Sequence, residues 1–210
     1  MAFFYNGIWF AYPLVLTDFF GVPRERAGLY VLGMAAANFL GPLLLGRLFD
    51  TVGRRKMISG TYLLSGAIIA AAEVLFVRGQ LTATTQTLLW MVTFFFASAA
   101  ASAGYLTVSE IFPLEMRALA IALFYAIGTA VGGLAAPALF GHLIETGGPG
   151  NLFWGYMLGS GLMMAAAAVE WWLGVDTEQK SLEDVATPLS ARGPQARPAR
   201  PAAAQEARTA

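Results

Sequence analysis

Gly46-Arg47-Leu48-Phe49-Asp50-Thr51-Val52-Gly53-Arg54-Arg55-Lys56 is the stretch on which the fold turns. Five of its eleven residues are charged, yet uncharged runs flank it at 27–46 and 57–72. Such a charged knot reads as a loop between two membrane-crossing helices, each needing ~20 mostly apolar residues to span ~30 Å of hydrocarbon. Gly46 and Gly53 permit close backbone approach and a tight turn. Asp50 suits the positive N-terminus of a neighbouring helix, while Arg54 and Arg55 offer bidentate partners for carboxylates. The matching carboxylates are either Glu110 or Glu115, in Ser109-Glu-Ile-Phe-Pro-Leu-Glu-Met-Arg117. Pro113 breaks the chain there and Arg117 starts the next helix.

Outward from this loop the same alternation continues. Further uncharged stretches lie at 1–17, 79–109, 118–144 and 146–169. The pattern predicts an all-α polytopic membrane protein with helices near 2–20, 27–47, 57–77, 86–109, 118–141 and 151–173. Backbone groups must pair internally in lipid, and no segment alternates like a barrel strand. Composition agrees: 57% of the 210 residues are hydrophobic, only 12% are charged, and mean hydropathy is +0.61. Ten of the 26 charged residues follow Leu173, leaving 16 for the first 173 positions. A soluble globule, a nucleic-acid-binding surface and a disordered chain are excluded.

Ten basic residues fall on one side of this arrangement and three on the other. Arg47, Arg54, Arg55, Lys56, Arg117 and five tail residues face Arg24, Arg26 and Arg78 across the bilayer. By the positive-inside rule both termini are cytoplasmic, in a plasma (inner) membrane protein. Residues 174–210 form a polar tail, Pro/Ala/Arg-rich from Pro188 and disordered towards the C-terminus.

Shifting the sequence by 95 positions aligns it with itself: 18 of the 48 residues in 27–74 are identical to their partners in 122–169. Pro42 meets Pro137, Tyr30 meets Tyr125, Thr51 meets Thr146, and Asp50 faces Glu145. An odd number of helices separates the copies, so they run in opposite senses across the membrane. The expectation is a 3+3 inverted repeat, a common plan among transporters.

The charged loop resembles the G-[RK]-x-x-D-x-x-G-R-[RK]-[RK] signature of the major facilitator superfamily. The Ser109–Arg117 segment is similar to the loop after the tenth helix in its sugar-porter and related metabolite-transporter branches. Gly174-Val-Asp-Thr-Glu-Gln-Lys-Ser-Leu-Glu-Asp-Val185 is a weaker echo of their P-E-T-K-G-x-x-L-E-E-like element. Over residues 1–186 the resemblance implies the C-terminal six-helix half of a twelve-helix secondary transporter. It also implies a missing N-terminal half as partner and a latch at Arg47, Asp50, Arg54, Arg55, Glu110 and Arg117. The Gln-Gln pair that sugar porters carry in the seventh helix is replaced by Phe3-Phe-Tyr-Asn-Gly-Ile-Trp9.

The family arrangement turns the first, second, fourth and fifth helices towards a central cavity. Their polar and aromatic stripes make Tyr5, Asn6, Trp9, Tyr12, Asn38, Trp90, Ser98, Ser102, Tyr105, Tyr125 and Thr129 the substrate-binding candidates; helix packing is the competing reading for each. As a set these uncharged groups suit a neutral or weakly polar organic solute, sugar-like or another metabolite. Glu73 and Glu170, near helix ends, read as interfacial anchors rather than members of a proton relay. The GxxxG pairs Gly128/Gly132 and Gly155/Gly159 read as close packing inside the bundle. With no cysteine and one histidine, His142, no metal set, nucleophile–base pair or cofactor site emerges, so an enzyme is not expected. The expected function is small-solute transport by alternating access; the alternative is a non-transporting binding or regulatory fragment that associates with a full-length transporter.

Overall fold

The computed structural model describes residues 1–146 and 148–177, and the expected tail beyond 177 lies outside them. Among the described residues the fold is all-helical: α1 (Ala2–Asp18), α2 (Arg24–Thr51), α3 (Arg54–Val77), α4 (Ala83–Ile111), α5 (Arg117–Glu145) and α6 (Pro149–Leu173). Helices α2 to α6 are long and apolar enough to cross a membrane. At 17 residues α1 falls short of its expected 2–20: it extends ~25 Å against ~30 Å of hydrocarbon. Its end is set by Gly21 at φ +65° and by the Val22 N–H, which bonds back to the Leu16 carbonyl at 2.9 Å.

The other limits follow local chemistry. Gly53, at φ +113°, makes the turn between α2 and α3 that a side chain would strain. Helix α4 begins earlier than its apolar run because Thr82 and Thr85 form a capping box: each backbone N–H bonds to the other's hydroxyl, at 2.8 and 3.2 Å. Prolines 13, 42 and 137 sit inside α1, α2 and α5, which continue through them.

Packing joins α3 to α6 and α4, α2 to α4, and α1 to α5. Lipid offers helices little hydrophobic drive to associate, so close approach and van der Waals contact carry the assembly. At the α2–α4 seam, a side chain on Gly41 would run into the Phe95 carbonyl and Ser98 Oγ. Gly132 meets the backbone of Ala2 and Phe3 on α1, while Gly155 and Gly159 meet Leu143 and Phe4. Gly128 has nothing within 4 Å, so only three of the four GxxxG glycines make the expected close contacts. Ser160 donates to the Gly66 carbonyl at 2.7 Å across α3–α6, and Ser65 donates to the Thr93 carbonyl at 3.3 Å across α3–α4. Phe4, Tyr12, Trp90, Phe94, Phe140 and Tyr156 form the aromatic core. Leu29, Leu32, Phe39 and Leu43 of α2, and Leu123, Ile127, Val131 and Leu134 of α5, are exposed apolar side chains.

Candidate functional site

Four helices, α1, α2, α4 and α5, contribute the polar groups named above. Asn38 of α2 and Ser98 and Ser102 of α4 line one groove of about 510 Å³, with Phe39, Pro42 and Leu43. They meet there because Gly41 brings α2 against α4 beside Ser98. Ser98 Oγ donates within its own helix to the Phe95 carbonyl at 3.4 Å, while Asn38 Oδ1 is buried without a hydrogen-bond partner among the described residues. An orphaned amide oxygen in such a place costs ~1–3 kcal/mol unless a ligand or water serves it.

The remaining candidates divide between wall and core. The Tyr5 and Trp9 rings pack at a tilt with centres 5.6 Å apart, and both meet Phe94 of α4 edge-on. Trp9 Nε1 is a buried donor without a partner among the described residues. Tyr105 and Tyr125 pair across α4–α5 with ring centres 6.1 Å apart, and Tyr125 lies within electrostatic reach of Tyr5. Asn6 donates to the Ala2 carbonyl of its own helix at 2.9 Å; Asn6 and Thr129 both lie beside Gly133. Tyr12 and Trp90 are instead fully buried. Tyr12 bonds to the Thr87 hydroxyl at 2.6 Å; because Thr87 itself donates to Ala83 O at 2.7 Å, Tyr12 is the donor. Trp90 lies between Phe4, Tyr12 and Tyr156. Three-four spacing identifies one helix face but not which neighbour covers it, and α6 covers this part.

At one end of the bundle the charged loop is built around Arg54, whose side chain is only 10% exposed. It pairs with Glu110 at the end of α4, and with Asp50 one turn away at 3.2 Å. Of the two carboxylates open from sequence, Glu110 is the one on Arg54. Thr177, just past α6, is buried and accepts from Arg54 Nη1 at 3.4 Å. Sequence reasoning missed this contact, because threonine carries no charge signal. Arg55 reaches the end of α6: its Nε donates to the Trp171 carbonyl at 2.6 Å, its guanidinium lies 5.8 Å from the Trp171 ring centre, and Glu170 lies within its electrostatic range. Arg47 is exposed, and Arg117 Nε is buried without a partner among the described residues.

Both expected anchors are altered by packing. Glu73 does not reach out to water but is fully buried in the bundle, bonded to Gln86 of α4 at 3.3 Å. Glu170 is half-buried, with Oε1 lacking a partner among the described residues. No group of three or more His, Cys, Asp or Glu that could hold a metal occurs among the described residues.

Long apolar helices and a charged, ion-paired end are the architecture of a polytopic membrane protein. The sequence profile of the Major Facilitator Superfamily matches residues 1–206, and the chain belongs to that superfamily. It is a membrane transporter protein for small solutes; members of this superfamily are transporters rather than enzymes. Among curated proteins and among solved structures, none matches this chain.

Proposed function

We propose that this chain is the C-terminal six-helix half of a secondary transporter for a neutral or weakly polar organic solute. Its polar face forms one wall of a cavity opened and closed by alternating access. The observation that carries the reading is the α2–α4 groove, where the unpartnered Asn38 oxygen lies beside Ser98 and Ser102 in membrane-crossing helices. Polar groups at that depth are costly unless they line a cavity or bind something.

Packing supports a 3+3 inverted repeat. Exchanging α1 with α4, α2 with α5 and α3 with α6 turns the α1–α5 contact into the α4–α2 contact and leaves the α3–α6 contact unchanged, whereas the α3–α4 contact has only a weak counterpart in α1–α6. The exposed apolar faces of α2 and α5 would meet the N-terminal half and lipid. The Arg54–Glu110–Asp50 cluster supports a cytoplasmic latch that holds α2, α3 and α4 together in one state and parts in the other.

Uptake in proteoliposomes tests the reading, with this chain alone and co-reconstituted with a six-helix N-terminal half. Flux is expected only from the pair, and Asn38→Leu should sharply lower it while the purified chain melts as before. Robust uptake by the monomeric chain alone would refute the half-transporter assignment.

A further inference from the structure

Glu73 lies one turn from the end of α3, away from the Arg54 cluster, and Gln86 lies in the first turn of α4. Both are buried: Glu73 is 0% exposed and Gln86 1%. The Gln86 amide nitrogen donates to Glu73 Oε1 at 3.3 Å. The other two polar atoms of this pair, Glu73 Oε2 and Gln86 Oε1, are buried without any hydrogen-bond partner among the described residues.

The surroundings offer no counter-charge. Tyr12 of α1 and Tyr156 of α6 face Glu73, and Tyr30 of α2 lies beyond Tyr12. Thr87 of α4 has its hydroxyl committed to Tyr12 and Ala83. The charged side chains at this end, Asp18, Arg24, Glu25, Arg26, Arg78 and Glu145, are all exposed, and no ion pair reaches Glu73 among the described residues.

As an ionised carboxylate, Glu73 would leave a bare charge and two orphaned acceptors in the bundle, a cost of several kcal/mol. One proton removes all three defects. Placed on Oε2, it cancels the charge, turns that oxygen into a donor and supplies a donor to Gln86 Oε1. With the Gln86 N–H already on Oε1, that second hydrogen bond would close a ring between the acid and the amide. We propose that Glu73 and Gln86 form a proton-holding pair, with Glu73 a neutral acid in the folded bundle that gives up its proton only when the α3–α4 end admits water. The inference concerns a site apart from the Asn38 groove and does not depend on which solute that groove takes.

Infrared difference spectroscopy of the reconstituted chain, stepped from neutral to alkaline pH, tests it. A protonated-carboxyl stretching band is expected at neutral pH, sensitive to deuterium exchange, missing in Glu73→Gln and displaced in Gln86→Leu, where the ring partner is gone. Melting of the wild-type chain gives a readout without any variant. A proton held in the folded state and lost on unfolding makes the melting temperature fall as pH rises. The amide–amide pair of Glu73→Gln should flatten that dependence. A carboxylate band alone at neutral pH, a protonated band that persists in Glu73→Gln, or a melting temperature that follows sodium rather than pH would overturn the proposal.

Discussion

Arg54 and Glu110 stand 56 positions apart in the chain, yet their side chains pair where α3 begins and α4 ends. Both are largely shielded, at 10% and 18% side-chain exposure. Removing Glu110 takes the shielded partner from Arg54 and leaves the exposed Asp50, whose pull solvent screens. Glu110→Gln should therefore cost ~3 kcal/mol, read as a lower melting temperature in detergent. Arg54→Met with Glu110→Leu should recover most of that loss. Asp50, 58% exposed, is a weak partner, and Asp50→Asn should shift stability by no more than ~0.5 kcal/mol. Wild-type melting of Glu110→Gln would show that the pair carries no stability.

Gly41 and Gly128 occupy equally apolar stretches but differ in their surroundings. A methyl at position 41 runs into the Phe95 carbonyl, a backbone atom that cannot turn aside. Gly41→Ala should push α2 off α4 and cost ~1–3 kcal/mol. Gly128→Ala meets nothing within 4 Å and should be neutral or slightly stabilising. Parallel melting curves separate the two, and equal behaviour would mean that the α2–α4 approach is looser than described.

Ser160 Oγ spans the α3–α6 seam to reach Gly66 O. Hydrogen bonds between membrane helices contribute ~0.6 kcal/mol on average and up to ~1.7. Ser160→Ala keeps the volume nearly constant and should cost an amount in that range. Ser160→Val adds bulk at a fully buried position and should cost more. Urea or SDS titration of the purified chain would rank the three proteins.

The chain contains no cysteine, so single-cysteine labelling needs no prior engineering. Lys56 and Asn151 are partners in the 95-residue repeat and are both exposed. Placed as Lys56→Cys and Asn151→Cys, they should react with an impermeant reagent from opposite sides of a vesicle. Labelling of both from one side would end the inverted-repeat proposal.

Much of this fold was legible because the charges are so unevenly spaced. Runs without charge marked every helix, and Pro113 and Arg117 marked the start of α5 correctly. The start of α4 was misplaced because a Thr82–Thr85 box lacks the Glu or Gln usually sought in that motif. Within the site, small polar residues on α2 and α4 pointed to the groove, since Asn38, Ser98 and Ser102 do line one space. The positions of Tyr12, Trp90 and Glu73 were not legible. Each depends on which helix lies behind it, and a helical stripe in one sequence carries no record of its neighbour. Arg55 illustrates the same limit: its acceptor is a main-chain oxygen, to which any residue type could contribute.

The prolines within α1, α2 and α5 have a consequence for anyone scanning this wall by mutagenesis. Proline has no amide hydrogen, so the carbonyls four residues earlier, at Trp9, Asn38 and Gly133, lose their usual helical donors. Two of these belong to residues already placed among the binding candidates, and the third neighbours Asn6 and Thr129. Such oxygens survive every side-chain replacement at their own positions. Alanine variants of the wall would then leave residual recognition, and the substitutions able to silence it are those at Pro13, Pro42 and Pro137, which restore the absent donor from one turn away.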